Sequence, residues 1–268
     1  MEALPKADGI RSQALCIQGV MMNKVHIFGD SISSGIGSLM VNYTPKLEEL
    51  LSDKYQIENH SLTGTTIKYC LEEVDKYLYD INDWIIVFYG NVDAQLRPNT
   101  KGKFFAHIPK RYKQGGMLIP RPLYSKNPKK RLLEYCDNFA RKILHFFVVT
   151  FDGYEQWVTI DDFTLSYNAV VNKLKRKTAN IILISTVYLD ENYFPNTNEE
   201  YKQFNAEILN ISRKFETYYV DLYDIIKEYI EESGSWDSFY LKDHFHPNKK
   251  GYEIIASLLA EYISGDKK

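Results

Sequence analysis

Val25-His26-Ile27-Phe28-Gly29-Asp30-Ser31 is a short apolar run closed by a glycine, an aspartate and a serine. Such a run, ended by turn residues, reads as a buried strand entering a turn. Outward from it, Leu39–Leu51 places apolar residues at helical spacing, Tyr55–His60 is a weaker strand, and Ser61-Leu62-Thr63-Gly64 is a turn. Thr65 or Thr66 is placed to cap a helix carrying Ile67, Leu71, Val74 and Leu78. Trp84-Ile85-Ile86-Val87-Phe88-Tyr89 is the strongest strand pattern and runs into Gly90-Asn91-Val92-Asp93. Ile181–Thr186 and Tyr218–Leu222 follow as strands, with Glu199–Glu216 and Asn248–Ile263 as helices. Apolar strands alternating with amphipathic helices predict an α/β fold whose parallel sheet is covered on both faces. Functional groups then gather at the carboxyl ends of the strands. Ser31, Gly64, Gly90-Asn91 and His246 all fall there.

The 268 residues, 44% of them hydrophobic, suffice for one substantial core without disulfides or metal. A net charge of −2 argues against general nucleic-acid binding. Cys16, Cys70 and Cys136 are odd in number and scattered, which suits a reducing compartment rather than a disulfide framework or a zinc site. No stretch approaches the ~18 apolar residues of a membrane helix, and the N-terminal apolar run is too short for a secretory signal. The expectation is a cytoplasmic domain over residues 22–268, preceded by a leader or an appended extension over 1–21.

A long insertion, 94–177, separates the third strand from the next confident one. Its later half carries helical patterns at Arg131–Phe147 and Leu165–Lys177. Between Ala94 and Leu133 there are eleven Lys or Arg and no Asp or Glu, which leaves 22 basic against 35 acidic residues elsewhere, a balance of −13. Charge this segregated reads either as a solvated surface or as a landing site for an anionic ligand. Arg97, Lys110 and Arg111 are its candidate substrate-binding residues, with Asp30 beside the serine.

A serine hydroxyl becomes a nucleophile when a neighbouring base takes its proton, and imidazole suits that task near neutrality. The oxyanion that then develops needs preorganised donors. Asp243-His244-Phe245-His246-Pro247-Asn248, near the C-terminus, supplies a histidine and a carboxylate three residues apart. These stretches resemble the SGNH hydrolases, also called GDSL esterases and lipases. The likeness lies in Gly29-Asp30-Ser31-Ile32-Ser33-Ser34-Gly35, in Gly64, and in Asp243-x-x-His246-Pro247-Asn248 followed by Gly251-Tyr252. It implies a three-layer α/β/α flavodoxin-like domain, with the insertion after the third strand as a lid or substrate-recognition segment. Ser31 would be the nucleophile, His246 the general base and Asp243 its orienting partner. The N–H groups of Ser31 and Gly64 would hold the oxyanion.

The third block departs from the family pattern. Where the family reads Gly-x-Asn-Asp, this chain reads Gly90-Asn91-Val92-Asp93. Either Asn91 reaches the oxyanion by another backbone path or that amide donor is missing, at a cost of ~3 kcal/mol in the transition state. The resemblance implies hydrolysis of an O-acyl ester, with an O-acetyl group on a carbohydrate as the expected substrate and no cofactor. An O-acetyltransferase drawing on a donor such as acetyl-coenzyme A, and a silent glycan-binding relative, are the alternatives. Metal binding by Asp243, His244 and His246 is a further reading of the same cluster. His26 reads as a packed or edge residue and His60 as a strand-end hydrogen bonder.

Overall fold

The computed structural model describes residues 22–35, 41–113, 118 and 125–265. The expected extension over 1–21 lies outside them. The first half of the chain forms β1 (Asn23–Gly29), α1 (Ser31–Ser34), α2 (Thr44–Leu51), β2 (Tyr55–Asn59), α3 (Ile67–Glu73), β3 (Trp84–Phe88), α4 (Asn91–Ala94), β4 (Arg97–Pro98) and α5 (Lys110–Lys113). The second half forms α6 (Pro128–Asp152), β5 (Tyr154–Glu155), α7 (Ile160–Lys175), β6 (Asn180–Ile184), α8 (Thr197–Phe215), β7 (Tyr218–Val220), α9 (Leu222–Ser233) and α10 (Lys249–Ser264).

Five strands form one parallel sheet in the order β2-β1-β3-β6-β7. All five residues of β3 are buried, as a strand covered on both faces requires. One helical layer contains α2 packed on α10; the other contains α3, α7 and α8 in a row. From β1 the chain turns first to β2 and then crosses to β3 on the opposite side. The crevice at the carboxyl ends of β1 and β3 is therefore the topological switch point, where open α/β sheets bind their ligands.

Local chemistry explains several element boundaries. Thr159, Asp221 and Asn248 each accept a backbone N–H at the start of α7, α9 and α10. Thr66 precedes α3 but makes no side-chain cap; Asp93 of α4 does that instead, accepting from the Ile67 N–H at 2.9 Å. Helix α9 has no counterpart in the expected elements, and Leu222, read as the end of a strand, is its first residue.

The insertion is shorter than the sequence suggested. Phe163, Tyr167, Val170, Val171 and Leu174 of α7 belong to the main core, and the Tyr167 hydroxyl donates to the Val87 carbonyl at 3.2 Å. Helix α7 is thus the crossover into β6, and the excursion proper runs over 95–158. Two short antiparallel strands, β4 and β5, close its neck. Inside it, Phe105, Ile108, Tyr112, Leu118 and Val148 form a separate small core. The Asp152 carboxylate accepts from the N–H groups of Phe104 and Phe105, and Glu155 holds Thr100. Helix α6 leaves Leu133, Phe139, Phe146 and Phe151 largely exposed. Among the described residues, no helix is long and apolar enough to cross a membrane.

Candidate active site

Ser31 opens α1 directly after β1 because Asp30 shapes the turn. The buried Asp30 carboxylate accepts from the Ile32 N–H at 2.9 Å and from the Asn91 amide at 3.2 Å. Farther along α1, the Tyr43 hydroxyl donates to Ser33 Oγ and the Asn59 amide donates to the Ser33 carbonyl. The short helix is thereby fixed to α2 and to β2.

The C-terminal loop brings the other two groups. Leu241 N–H donates to the His246 carbonyl and Asn248 N–H to the Phe239 carbonyl, both at 2.8 Å, so the segment folds back on itself. Gly251 lies so close beneath this loop that a Cβ would stand 2.4 Å from the Phe239 carbonyl oxygen. Asp243 Oδ1 accepts from the N–H groups of Phe245 and His246, which aims Oδ2 at His246 Nδ1, 2.5 Å away. His246 Nε2 then lies 2.9 Å from Ser31 Oγ. Ionised Asp243 only accepts, so it selects the Nδ1–H tautomer and leaves Nε2 free to take the serine proton. Ser31, Asp243 and His246 are all buried.

Gly64 sits in the turn after β2 with φ +76°, a conformation suited to glycine, and added side-chain volume there would touch nothing. Its turn is tied to the serine segment by Leu62 N–H donating to the Gly29 carbonyl and by the Thr63–Ser34 hydroxyl pair at 2.8 Å. Asn91 has both its side-chain oxygen and its side-chain nitrogen engaged. Its Oδ1 accepts from the Val187 N–H at 2.9 Å, and its Nδ2 donates to Asp30. Its carbonyl accepts from the Tyr201 hydroxyl. The early position of this amide thus makes it a buried bridge from β1 to the segment after β6. Asp93 accepts from the Gly90 and Ile67 N–H groups. Burial pushes the carboxyl pKa of Asp30 up to about 6 and that of Asp93 up to about 7.

The basic candidates do not converge on Ser31. Arg97 is fully buried, donates to the Val92 and Gln95 carbonyls, and lies 4.0 Å over the Trp157 ring; burial lowers its pKa to about 10. Lys110 and Arg111 are exposed on α5, where Arg111 meets the Tyr112 hydroxyl and Asp137. His244, with φ +53°, turns its Nδ1 to Asp190 at 2.7 Å. Asp243, His244 and His246 therefore do not share a ligand point, and the metal reading of that cluster loses its geometry.

Sequence reading missed the aromatic wall around His244. The His244 ring is stacked on Trp236 and packs 4.5 Å from Tyr193, while Tyr188 also stacks on the Trp236 ring, at 5.3 Å. Tyr193 also lines a cavity of about 400 Å³ with Asn192, Pro195 and, from α6, Lys142, His145, Phe146 and Val149. These residues are scattered through the chain and share no spacing that would have linked them.

Residues 27–254 match the family model described as GDSL-like Lipase/Acylhydrolase. Among solved structures, the chain is similar to the lipase/acylhydrolase from Enterococcus faecalis, with 18% identity, a TM-score of 0.60, and 92% of this chain and 98% of that one covered. It is also similar to Axe2, an acetylxylan esterase from Geobacillus stearothermophilus, with 18% identity, a TM-score of 0.56 and coverage of 90% and 94%. Catalytic mutants of that esterase at a serine, an aspartate and a histidine are among the neighbours. LAE5, an alpha/beta hydrolase from the metagenome of Lake Arreo, Spain, aligns with 12% identity, a TM-score of 0.58 and coverage of 92% and 97%. No curated protein matches the chain.

Proposed function

Because the chain belongs to the GDSL-like lipase/acylhydrolase family and is a serine esterase, we propose that it removes acetyl groups from a carbohydrate ester through an acetyl-Ser31 intermediate. The observation that carries this reading is the chain of contacts from Asp243 through His246 to Ser31 Oγ, at 2.5 and 2.9 Å. His246 Nε2 takes the serine proton as Oγ bonds to the ester carbonyl carbon. The oxyanion sits on the N–H groups of Ser31 and Gly64. On collapse, the imidazolium returns its proton to the departing sugar oxygen, and Asp243 stabilises the imidazolium between these steps. Water, deprotonated by the same imidazole, releases acetate and restores Ser31. The balance closes without a cofactor.

Three features support a short acyl group on a sugar. The reacting serine and histidine are each less than a tenth exposed, which favours a small acyl group. Tyr188, Tyr193 and Trp236 beside His244 offer rings on which a sugar face can stack. One of the similar structures is an acetylxylan esterase. The excursion over 95–158 serves as the recognition segment for the alcohol portion, with Lys142 as the cation in its cavity. The unpaired Cys70 and Cys136 fit a cytoplasmic setting.

The test uses p-nitrophenyl esters of rising chain length and acetylated xylo-oligosaccharides. Acetyl is expected to be the best p-nitrophenyl ester, and free acetate is the expected product from the oligosaccharide, both lost in Ser31→Ala. Preference for long acyl chains overturns the acetyl reading. Acetyl recovered on an added sugar acceptor instead of as acetate makes the protein an O-acetyltransferase.

A further inference from the structure

His26 of β1 and Glu58 of β2 are register partners on adjacent parallel strands, and His60 lies two residues beyond Glu58. The period of two puts all three side chains on one face of the sheet. His26 Nδ1 is 3.0 Å from His60 Nε2. Glu58 Oε2 is 3.5 Å from the first nitrogen and 3.8 Å from the second. A triangle with these sides has an area of about 5.0 Å², and the product of its sides divided by four times that area gives a circumradius of about 2.0 Å. One point is thus equidistant from all three atoms at the length of a zinc–nitrogen or zinc–oxygen bond, about 2.0–2.2 Å.

The surroundings are arranged as those of a ligand set. Lys24 Nζ holds the other Glu58 oxygen at 2.6 Å, leaving Oε2 turned to the two rings. Asp83 Oδ2 stands 3.4 Å behind His26 Nε2, where a carboxylate backs many metal-binding imidazoles. That Nε2 is buried without a hydrogen bond. Tyr77 stacks on the His60 ring at 3.7 Å and fixes its plane. A plain hydrogen bond between the imidazoles would account for the 3.0 Å approach but not for a carboxylate oxygen facing both nitrogens.

We propose that His26 Nδ1, His60 Nε2 and Glu58 Oε2 bind a divalent transition ion, zinc by the character of the donors, with water completing the coordination. The ion would staple the edge strand β2 to β1, ahead of the turn that carries Gly64. The site is independent of the acetyl-ester reading.

Chelator-stripped full-length protein, titrated with zinc against a chromogenic chelator, tests the proposal. One zinc per chain and a zinc-dependent rise in thermal midpoint are expected. Asp83→Asn is expected to weaken binding about 10–100-fold, and His60→Gln and Glu58→Gln at least as much. Circular dichroism checks the fold of each variant; Glu58, partly exposed, provides the substitution least disturbing to the core. Absence of zinc binding at micromolar concentrations by folded protein overturns the site. Stoichiometric zinc retained equally by His60→Gln and Glu58→Gln does so too.

Discussion

The rim of the parallel sheet and the excursion over 95–158 are built by different rules. At the rim, Asp30, Asn91, Asp93 and Asp243 are buried, and their side chains are each given two partners. In the excursion, a 25-residue helix buries only Asn138, Arg141 and Val148 and leaves large apolar residues exposed. A site that must hold atoms within tenths of an ångström needs over-determined neighbours, whereas a recognition surface needs only shape and charge. The contrast predicts that small changes at the rim cost far more than larger ones on the excursion.

The greatest effect is expected at the reacting atoms. Ser31→Ala and His246→Ala should each lower kcat by more than ~10⁴-fold on p-nitrophenyl acetate, with thermal midpoints close to that of the parent. Comparable rates in parent and variant would remove the rim from catalysis altogether.

Next come the buried carboxyls. Asp30 and Asp93 titrate higher in the folded protein, at about 6 and about 7, than the ordinary Asp value near 4. The folded state then holds protons that the unfolded chain releases. Their stabilising contribution is full below about pH 4 and is lost as pH rises through 6 to 7, on the order of a few kcal/mol. Urea unfolding across that window should show a shallower pH dependence in Asp93→Asn. An unchanged slope would mean that Asp93 is ionised throughout.

Gly251→Ala should destabilise by about 1–3 kcal/mol, because the new methyl meets a backbone oxygen that cannot move without shifting the Asp243–His246 loop. Activity should fall in parallel, measured on protein still folded at low temperature. On the excursion, Lys142→Ala should raise KM several-fold for an acetylated oligosaccharide while leaving p-nitrophenyl acetate untouched. Lys110→Ala and Arg111→Ala are exposed and should change stability by no more than about 0.5 kcal/mol. A large loss of stability in either would place α5 in the core.

The same contrast governs what could be read in the sequence. Gly29-Asp30-Ser31 and Asp243-x-x-His246 were legible because turn chemistry and short spacings are local, and β1, β3 and β6 because buried strands are continuous apolar runs. Helix α7 reads as part of the insertion because periodicity identifies a helix without saying which core receives it. Helix α9 went unread although Leu222, Tyr223, Ile226 and Ile230 keep its spacing, since the preceding apolar run masked its start. The partners of the Asn91 side chain lie 61 and 96 residues away, beyond any local pattern. Arg97 illustrates the opposite error, for a cation inside a basic run reads as surface until its burial under Trp157 is seen.

Covalent labelling with a fluorophosphonate probe, followed by peptide mass spectrometry, is the most direct test of whether His246 activates Ser31. The account predicts a single adduct on Ser31 that is lost in His246→Ala. An adduct on another residue, or equal labelling of Ser31 without the imidazole, would contradict it.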